Sequence, residues 1–150
     1  MVLYFAYGSN MSIEHMLKYC FDNEFKIINI GILRDYIYRY RTLIGYKYTG
    51  VGNIEKRKGS KVYGIIYDIN KNGLKKLNKK EGLMNNLYYI DELNIYSING
   101  KKKYKCKIYK MNHDKVGIEK SPTNKYRKML LDSAIHNRFP KTYINRLLYI

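Results

Sequence analysis

A chain of 150 residues with 45% apolar side chains is long enough to bury one hydrophobic core and too apolar to stay disordered. Its 29 basic and 12 acidic residues leave a net charge of +17. The lysines are spread through nearly every segment alongside abundant Asn, Ile and Tyr, as an AT-rich genome produces, and no nucleic-acid-binding module is recognisable, so no specific nucleic-acid partner is expected. No apolar run reaches membrane-span length, and no basic segment precedes the short apolar N-terminus, so the expectation is a soluble, cytoplasmic protein with no membrane partner.

The run Val2-Leu3-Tyr4-Phe5-Ala6 reads as a buried strand. It ends at Tyr7-Gly8-Ser9-Asn10, and a helical pattern starts at Ser12. A strand that stops at Gly-Ser-Asn and runs into a helix gathers backbone N–H groups without intrahelical partners. Such a point suits a carboxylate or phosphate, and Gly8, lacking a Cβ, lets a ligand approach the backbone. Taken alone, the same tripeptide is ordinary turn chemistry. Ser12 is placed to cap a helix whose buried face is Ile13, Met16, Leu17 and Cys20, with His15 at the surface. Phe25 to Leu33 reads as a second strand, Arg34-Asp35 as a break, and Tyr36 to Arg41 as a third strand with one polar face.

Thr49-Gly50-Val51-Gly52-Asn53 reads as a glycine-bearing loop, open to lining a site but more simply a connection, and Glu55 rules out a dinucleotide fingerprint there. Val62 to Ile69 is a strand in which Gly64 marks a bulge or a close backbone contact. Asn70 caps a helix over Lys71 to Lys80, with Leu74 and Leu77 on its buried face. Glu81 continues that face and Gly82 closes the helix. Burial and the negative end of a helix both disfavour a charged carboxylate, which suits Glu81 to general acid or base work. A surface pairing with Lys79 or Lys80 is equally compatible with the pattern.

Leu87 to Ile98 reads as a strand with an internal irregularity, joined through a type I′ turn at Asn99-Gly100 to a return strand carrying Tyr104, Cys106 and Ile108 inward. His113 and Asp114 fall in a surface turn with no nucleophile beside them. Ser121-Pro122 opens a helix whose face is Tyr126, Met129, Leu130, Ser133, Ala134 and Asn137. Phe139-Pro140 stops it, and a last amphipathic segment carries Tyr143, Ile144, Leu147 and Leu148. Cys20 and Cys106 lack zinc-site spacing and read as reduced thiols. No repeat or linker appears, so residues 1–150 are expected to form a single domain.

Three separated pieces carry a resemblance. They are the strand with Tyr7-Gly8-Ser9-Asn10-Met11, the helix end Leu77-Asn78-Lys79-Lys80-Glu81-Gly82 followed by Tyr88, and Ser121-Pro122 with Tyr126, Ala134, Pro140 and Tyr143. In that order and spacing the chain resembles the γ-glutamylcyclotransferase-like (AIG2-like) family over nearly its whole length. The resemblance implies an α+β fold: a small, closed or nearly closed mixed-strand β-barrel with flanking helices and a cavity at its mouth. It implies conversion of a γ-glutamyl amino acid or amine to 5-oxoproline and the free amine, without metal or organic cofactor. By the same resemblance Tyr7, Gly8, Ser9 and Asn10 hold the γ-glutamyl group, Glu81 is the acid/base, and Tyr88 and Tyr126 border the pocket. Asp132, Ser133 and Phe139 depart from the family pattern and bear on pocket shape. Action on γ-glutamyl-ε-lysine, a glutathione-specific activity, and a non-catalytic basic binding protein on the same fold stay open. So does the choice between monomer and homodimer.

Overall fold

The computed structural model describes residues 2–150. Six strands and four helices follow one another as β1 (Val2–Ala6), α1 (Ile13–Met16), β2 (Phe25–Leu43), β3 (Lys47–Ile69), α2 (Lys71–Lys80), β4 (Tyr88–Ser97), β5 (Lys103–Met111), β6 (Val116–Glu119), α3 (Asn124–His136) and α4 (Lys141–Tyr149). The strand order is β3-β1-β5-β4-β2-β6, and β2 also pairs with β3. That pairing closes five strands into a barrel and leaves β6 as an edge on β2. The barrel is mixed: β1 runs parallel to β5, while the β1–β3, β2–β3, β2–β4 and β4–β5 pairs are antiparallel. The α+β barrel with flanking helices expected from the resemblance is therefore the fold. Among the described residues, no helix is long and apolar enough to cross a membrane.

The core is what the alternating strands predict. Phe5, Ile66, Ile95 and Ile108 are fully buried, and Leu77 of α2, Leu130 of α3 and Leu147 of α4 seal against the same cluster. Gly64 marks a close backbone contact, since a Cβ there would collide with the carbonyl oxygen of Ala6 on the paired strand. Asn70 caps α2 by accepting from the Gly73 N–H at 2.9 Å. Gly82 ends that helix in the left-handed region at φ 67°, which a Cβ would disfavour.

Several local expectations are corrected. The second and third strands are one element, β2, because Asp35 adopts φ 62° and absorbs the bend as a bulge. Asp residues tolerate that conformation, and pairing to β3 resumes at Tyr36. Thr49 to Asn53 is not a loop but part of β3, its residues paired along Arg41↔Val51 and Tyr40↔Gly52. The first helix has only its first turn: Ser12 accepts from the His15 N–H as expected, but Lys18 and Tyr19 then bond three residues back instead of four. The tightened turn buries Met16 and Cys20 and leaves Ile13 and Leu17 exposed. β4 pairs with β5 from Tyr88↔Met111 to Tyr96↔Lys103 without irregularity. The turn beyond it is not type I′, since Gly100 has φ 73° but Asn99 has no positive φ. Asn99 instead uses its side chain, accepting from Ser97 Oγ and the Lys101 N–H. Helix α3 starts at Asn124 with Thr123 as its cap, because Ser121 still pairs with Gly50 of β3. In α4, Tyr143 and Leu147 are buried while Leu148 is 38% exposed.

Candidate functional site

β1 delivers its last residues to one end of the barrel, where Ser9–Met11 forms a 3-10 turn. Tyr7, Gly8, Ser9, Asn10, Glu81, Tyr88 and Tyr126, all named from the sequence, line one cavity of about 40 Å³. Tyr4, Gly52 and Tyr109 complete its wall. The three separated pieces of sequence thus meet at one point, from β1, the end of α2, β4 and α3. A wider surface hollow of about 590 Å³ lies beyond Ser12, between α1 and α3, but Glu81 does not line it. The small cavity is the better candidate because a carboxylate, a turn rich in backbone N–H groups and several phenols converge on it.

Glu81 resolves the two alternatives left open by its pattern. It is paired, yet not at the surface: its Oε1 lies 3.0 Å from Lys80 Nζ, with the two side chains only 14% and 15% exposed. Asn10 Nδ2 donates to the same oxygen at 3.1 Å. Asn10 also donates to Tyr4 Oη at 2.8 Å, and its own backbone carbonyl accepts from Tyr67 Oη at 2.8 Å. The turn is therefore held from below by the barrel and from the side by α2.

The phenols are held by equally specific bonds. Tyr7 Oη donates to the Tyr109 carbonyl at 2.6 Å, and Tyr109 Oη donates to Asn78 Oδ1 at 2.6 Å. Gly52 joins two walls: its N–H donates to Tyr126 Oη at 3.0 Å, and its carbonyl accepts from Tyr88 Oη at 2.9 Å. Burial pushes the Tyr4, Tyr7, Tyr88, Tyr109 and Tyr126 phenols upward. The Glu81 charge adds to this at each of them. All five are neutral hydroxyls at physiological pH; Tyr7, Tyr88 and Tyr109 spend their single O–H on protein acceptors, while the Tyr4 and Tyr126 oxygens accept from Asn10 and Gly52 and keep an O–H to donate into the cavity.

Gly52, Tyr4 and Tyr109 were not marked as site residues by the sequence. Gly52 sat in a segment read as a connection, and only the pairing of β3 brings it against Tyr126. Tyr4 and Tyr109 follow the inward alternation of their strands, which does not distinguish a cavity wall from a core. His15 is half-buried, on the wall of the surface hollow, and not free in solvent. Both ring nitrogens are buried without a partner, and burial, followed by the nearby Lys80, Lys18 and Lys125 charges, pushes its pKa down to about 4. His113 and Asp114 take no part: His113 packs on Tyr89, and Asp114 pairs with Lys115. Among the described residues, no three His, Cys, Asp or Glu side chains converge as a metal centre would require.

A closed five-strand mixed barrel with flanking helices is the architecture of γ-glutamylcyclotransferase structures. A solved γ-glutamyl cyclotransferase superposes with a TM-score of 0.87 and 25% identity, covering 99% of this chain and 87% of that one. The curated γ-glutamylcyclotransferases of Bos taurus and Homo sapiens are 27% and 26% identical, each over 97% of this chain and 76% of the relative. The profile of the AIG2-like family matches residues 61–147, more than half of the chain. The chain belongs to the AIG2-like family.

Proposed function

We propose that this chain is a γ-glutamylcyclotransferase-type enzyme. It would convert a γ-glutamyl amino acid to 5-oxoproline and the free amino acid, with Glu81 as general acid/base. The observation that carries the reading is the meeting of Glu81 with the Tyr7–Asn10 turn and neutral phenols in one buried pocket.

The reaction is an intramolecular acyl transfer. The α-amine nitrogen attacks the γ-carbonyl carbon of its own glutamyl group. A ring C–N bond forms, and the γ-amide C–N bond breaks. Near neutral pH the α-amine is largely protonated and must lose a proton before it attacks. In this reading the Glu81 carboxylate takes that proton and passes it to the leaving nitrogen as the γ-amide bond breaks, then takes the second proton that the ring nitrogen sheds on becoming an amide and releases it to the free amine, so the enzyme ends unchanged. No covalent intermediate is needed, because nucleophile and electrophile belong to the same molecule. The pocket's larger task is to hold the γ-glutamyl chain folded, which in intramolecular reactions is worth several kcal/mol, on the order of 7–11 at best. Backbone N–H groups of Gly8, Ser9 and Asn10 would hold the α-carboxylate. The Tyr126 phenol, whose oxygen accepts from the Gly52 N–H, would donate its O–H to an oxygen atom of the substrate, and Tyr88, whose O–H is spent on the Gly52 carbonyl, would shape the wall beside it.

The test is release of 5-oxoproline and amine from γ-glutamyl dipeptides, γ-glutamyl-ε-lysine and glutathione, with Glu81→Gln as control. Turnover of a γ-glutamyl amino acid that falls by about 10²–10⁴ in Glu81→Gln supports the reading. Near-normal turnover in that variant rules out Glu81 as the base. Folded protein that turns over none of these compounds rules out the activity and leaves a binding role on the same fold.

A further inference from the structure

Lys80 lies outside the chemistry just described, yet its ammonium makes three hydrogen bonds at the site. Nζ lies 3.3 Å from Ser9 Oγ, 2.9 Å from Asn10 Oδ1 and 3.0 Å from Glu81 Oε1. An ammonium has three N–H donors, so these partners saturate it. The Asn10 amide nitrogen is saturated too, by Tyr4 Oη and Glu81 Oε1. Lys80, Asn10 and Glu81 therefore close a triangle in which each pair is bonded. Both donors of that triangle converge on Oε1 of Glu81. Among the described residues, Oε2 accepts no hydrogen bond. Lys80 itself is 15% exposed on its side chain, and its Nζ sits 5.3 Å from the centre of the Tyr19 ring, an aromatic wall on its outer side.

We infer that Lys80 is a positioning residue: with Asn10 it anchors Oε1 of Glu81 and ties the Ser9–Asn10 turn to the end of α2, leaving Oε2 as the oxygen that exchanges the proton with the substrate amine. The inference rests on the cyclotransferase reading of the pocket. With its donors occupied, Lys80 has none left for the substrate and acts through the groups it holds. A Glu side chain at a helix end otherwise has several rotamers open to it. Holding one oxygen on two donors leaves a single direction for the other. An error of about 1 Å in such a placement costs on the order of a hundredfold in rate. Arginine would not reproduce the triangle, because its planar fork cannot meet three acceptors arranged around one nitrogen.

Lys80→Met keeps the stem and removes the ammonium. The expected result is a kcat lower by between about tenfold and a hundredfold, with KM within about threefold of the unchanged protein. In Lys80→Ala, added n-propylammonium restores kcat saturably, and tetramethylammonium, which has no N–H, does not. Lys80→Met gains nothing from either, since its stem fills the space. Unchanged kcat in folded Lys80→Met overturns the inference, as does a loss carried mainly by KM, which would make Lys80 a substrate ligand. A second readout needs no substrate: amide hydrogen exchange across Ser9–Met11 should accelerate in Lys80→Met, and unchanged exchange there also overturns it. The reading of the pocket fails separately, if the unaltered protein turns over no γ-glutamyl compound or if Glu81→Gln retains activity.

Discussion

Gly52→Ala tests whether the pocket wall is as tight as its hydrogen bonds imply. A Cβ on Gly52 would lie 2.7 Å from Tyr38 Oη and 3.2 Å from Tyr126 Oη. Tyr38 is completely buried, with no room to yield. Overpacking of this kind costs ~1–3 kcal/mol. Unfolding entropy of ~2.1 cal/mol/K per residue gives ~0.3 kcal/mol/K for a chain of this length, so a cost of ~2 kcal/mol lowers Tm by ~6 °C. The same methyl crowds the Tyr126 hydroxyl that Gly52 anchors, and kcat/KM should fall by at least about tenfold. Gly59→Ala is the control. Gly59 has φ 87°, and no atom lies within 4 Å of the place its methyl would take, so alanine there carries only the left-handed penalty of ~1–2 kcal/mol. It should melt ~3–6 °C lower and turn over normally. Thermal melts followed by circular dichroism, with 5-oxoproline release normalised to folded protein, separate the two effects. Wild-type melting and turnover in Gly52→Ala would refute the reasoning, and so would an equal loss of turnover in Gly59→Ala.

Three further outcomes follow from individual contacts. Tyr67→Phe removes the hydroxyl that supports the Asn10 carbonyl, and urea unfolding should show a loss of ~1 kcal/mol; an unchanged midpoint would mean that water replaces the bond at no cost. Glu24 is held below its ordinary value of 4.5, first by the hydrogen bond from Lys76 and then by the Phe21 N–H. Its folded value is depressed, so its contribution is fully present above pH ~4.5 and is lost as pH falls through the lower folded value. Glu24→Gln should therefore flatten the acid limb of stability against pH in that window, and an unaltered limb would remove Glu24 from the account. Burial pushes the Cys106 thiol up to about 12 and raises Cys20 as well. A disulfide reagent at pH 8 should find no reactive thiol in the native protein and both after denaturation, and fast native labelling would show that either cysteine is open.

Much of the barrel was legible because its signals are local. The apolar run of β1, the Asn70 cap and the Gly82 terminator each depend on neighbours a few residues away. The errors fall where a distant partner decides. Arg34-Asp35 reads as a break, yet Asp35 takes a left-handed backbone as a bulge and pairing with β3 carries β2 through it. Thr49 to Asn53 reads as a loop because two glycines lie close together, yet packing against Tyr38 and Tyr126 is what demands Gly52. Ser121-Pro122 reads as a helix start, and a hydrogen bond from the Gly50 N–H to the Ser121 carbonyl holds it beside β3 instead.

The site divides along the same line. Sequence by itself determined the strand ending in Gly8-Ser9-Asn10 and the position of Glu81 at the end of α2, since turn chemistry and helix periodicity are properties of short segments. Only the tertiary structure decided what Glu81 meets. The pattern allowed a surface pairing or a buried carboxylate, and closure of the barrel gave a Lys80 ion pair largely buried inside the pocket. That outcome depends on α2 packing its last turn against the end of β1, 71 positions apart in the chain from Asn10 to Glu81. No periodicity within one segment encodes a contact that two segments make only after the sheet has closed.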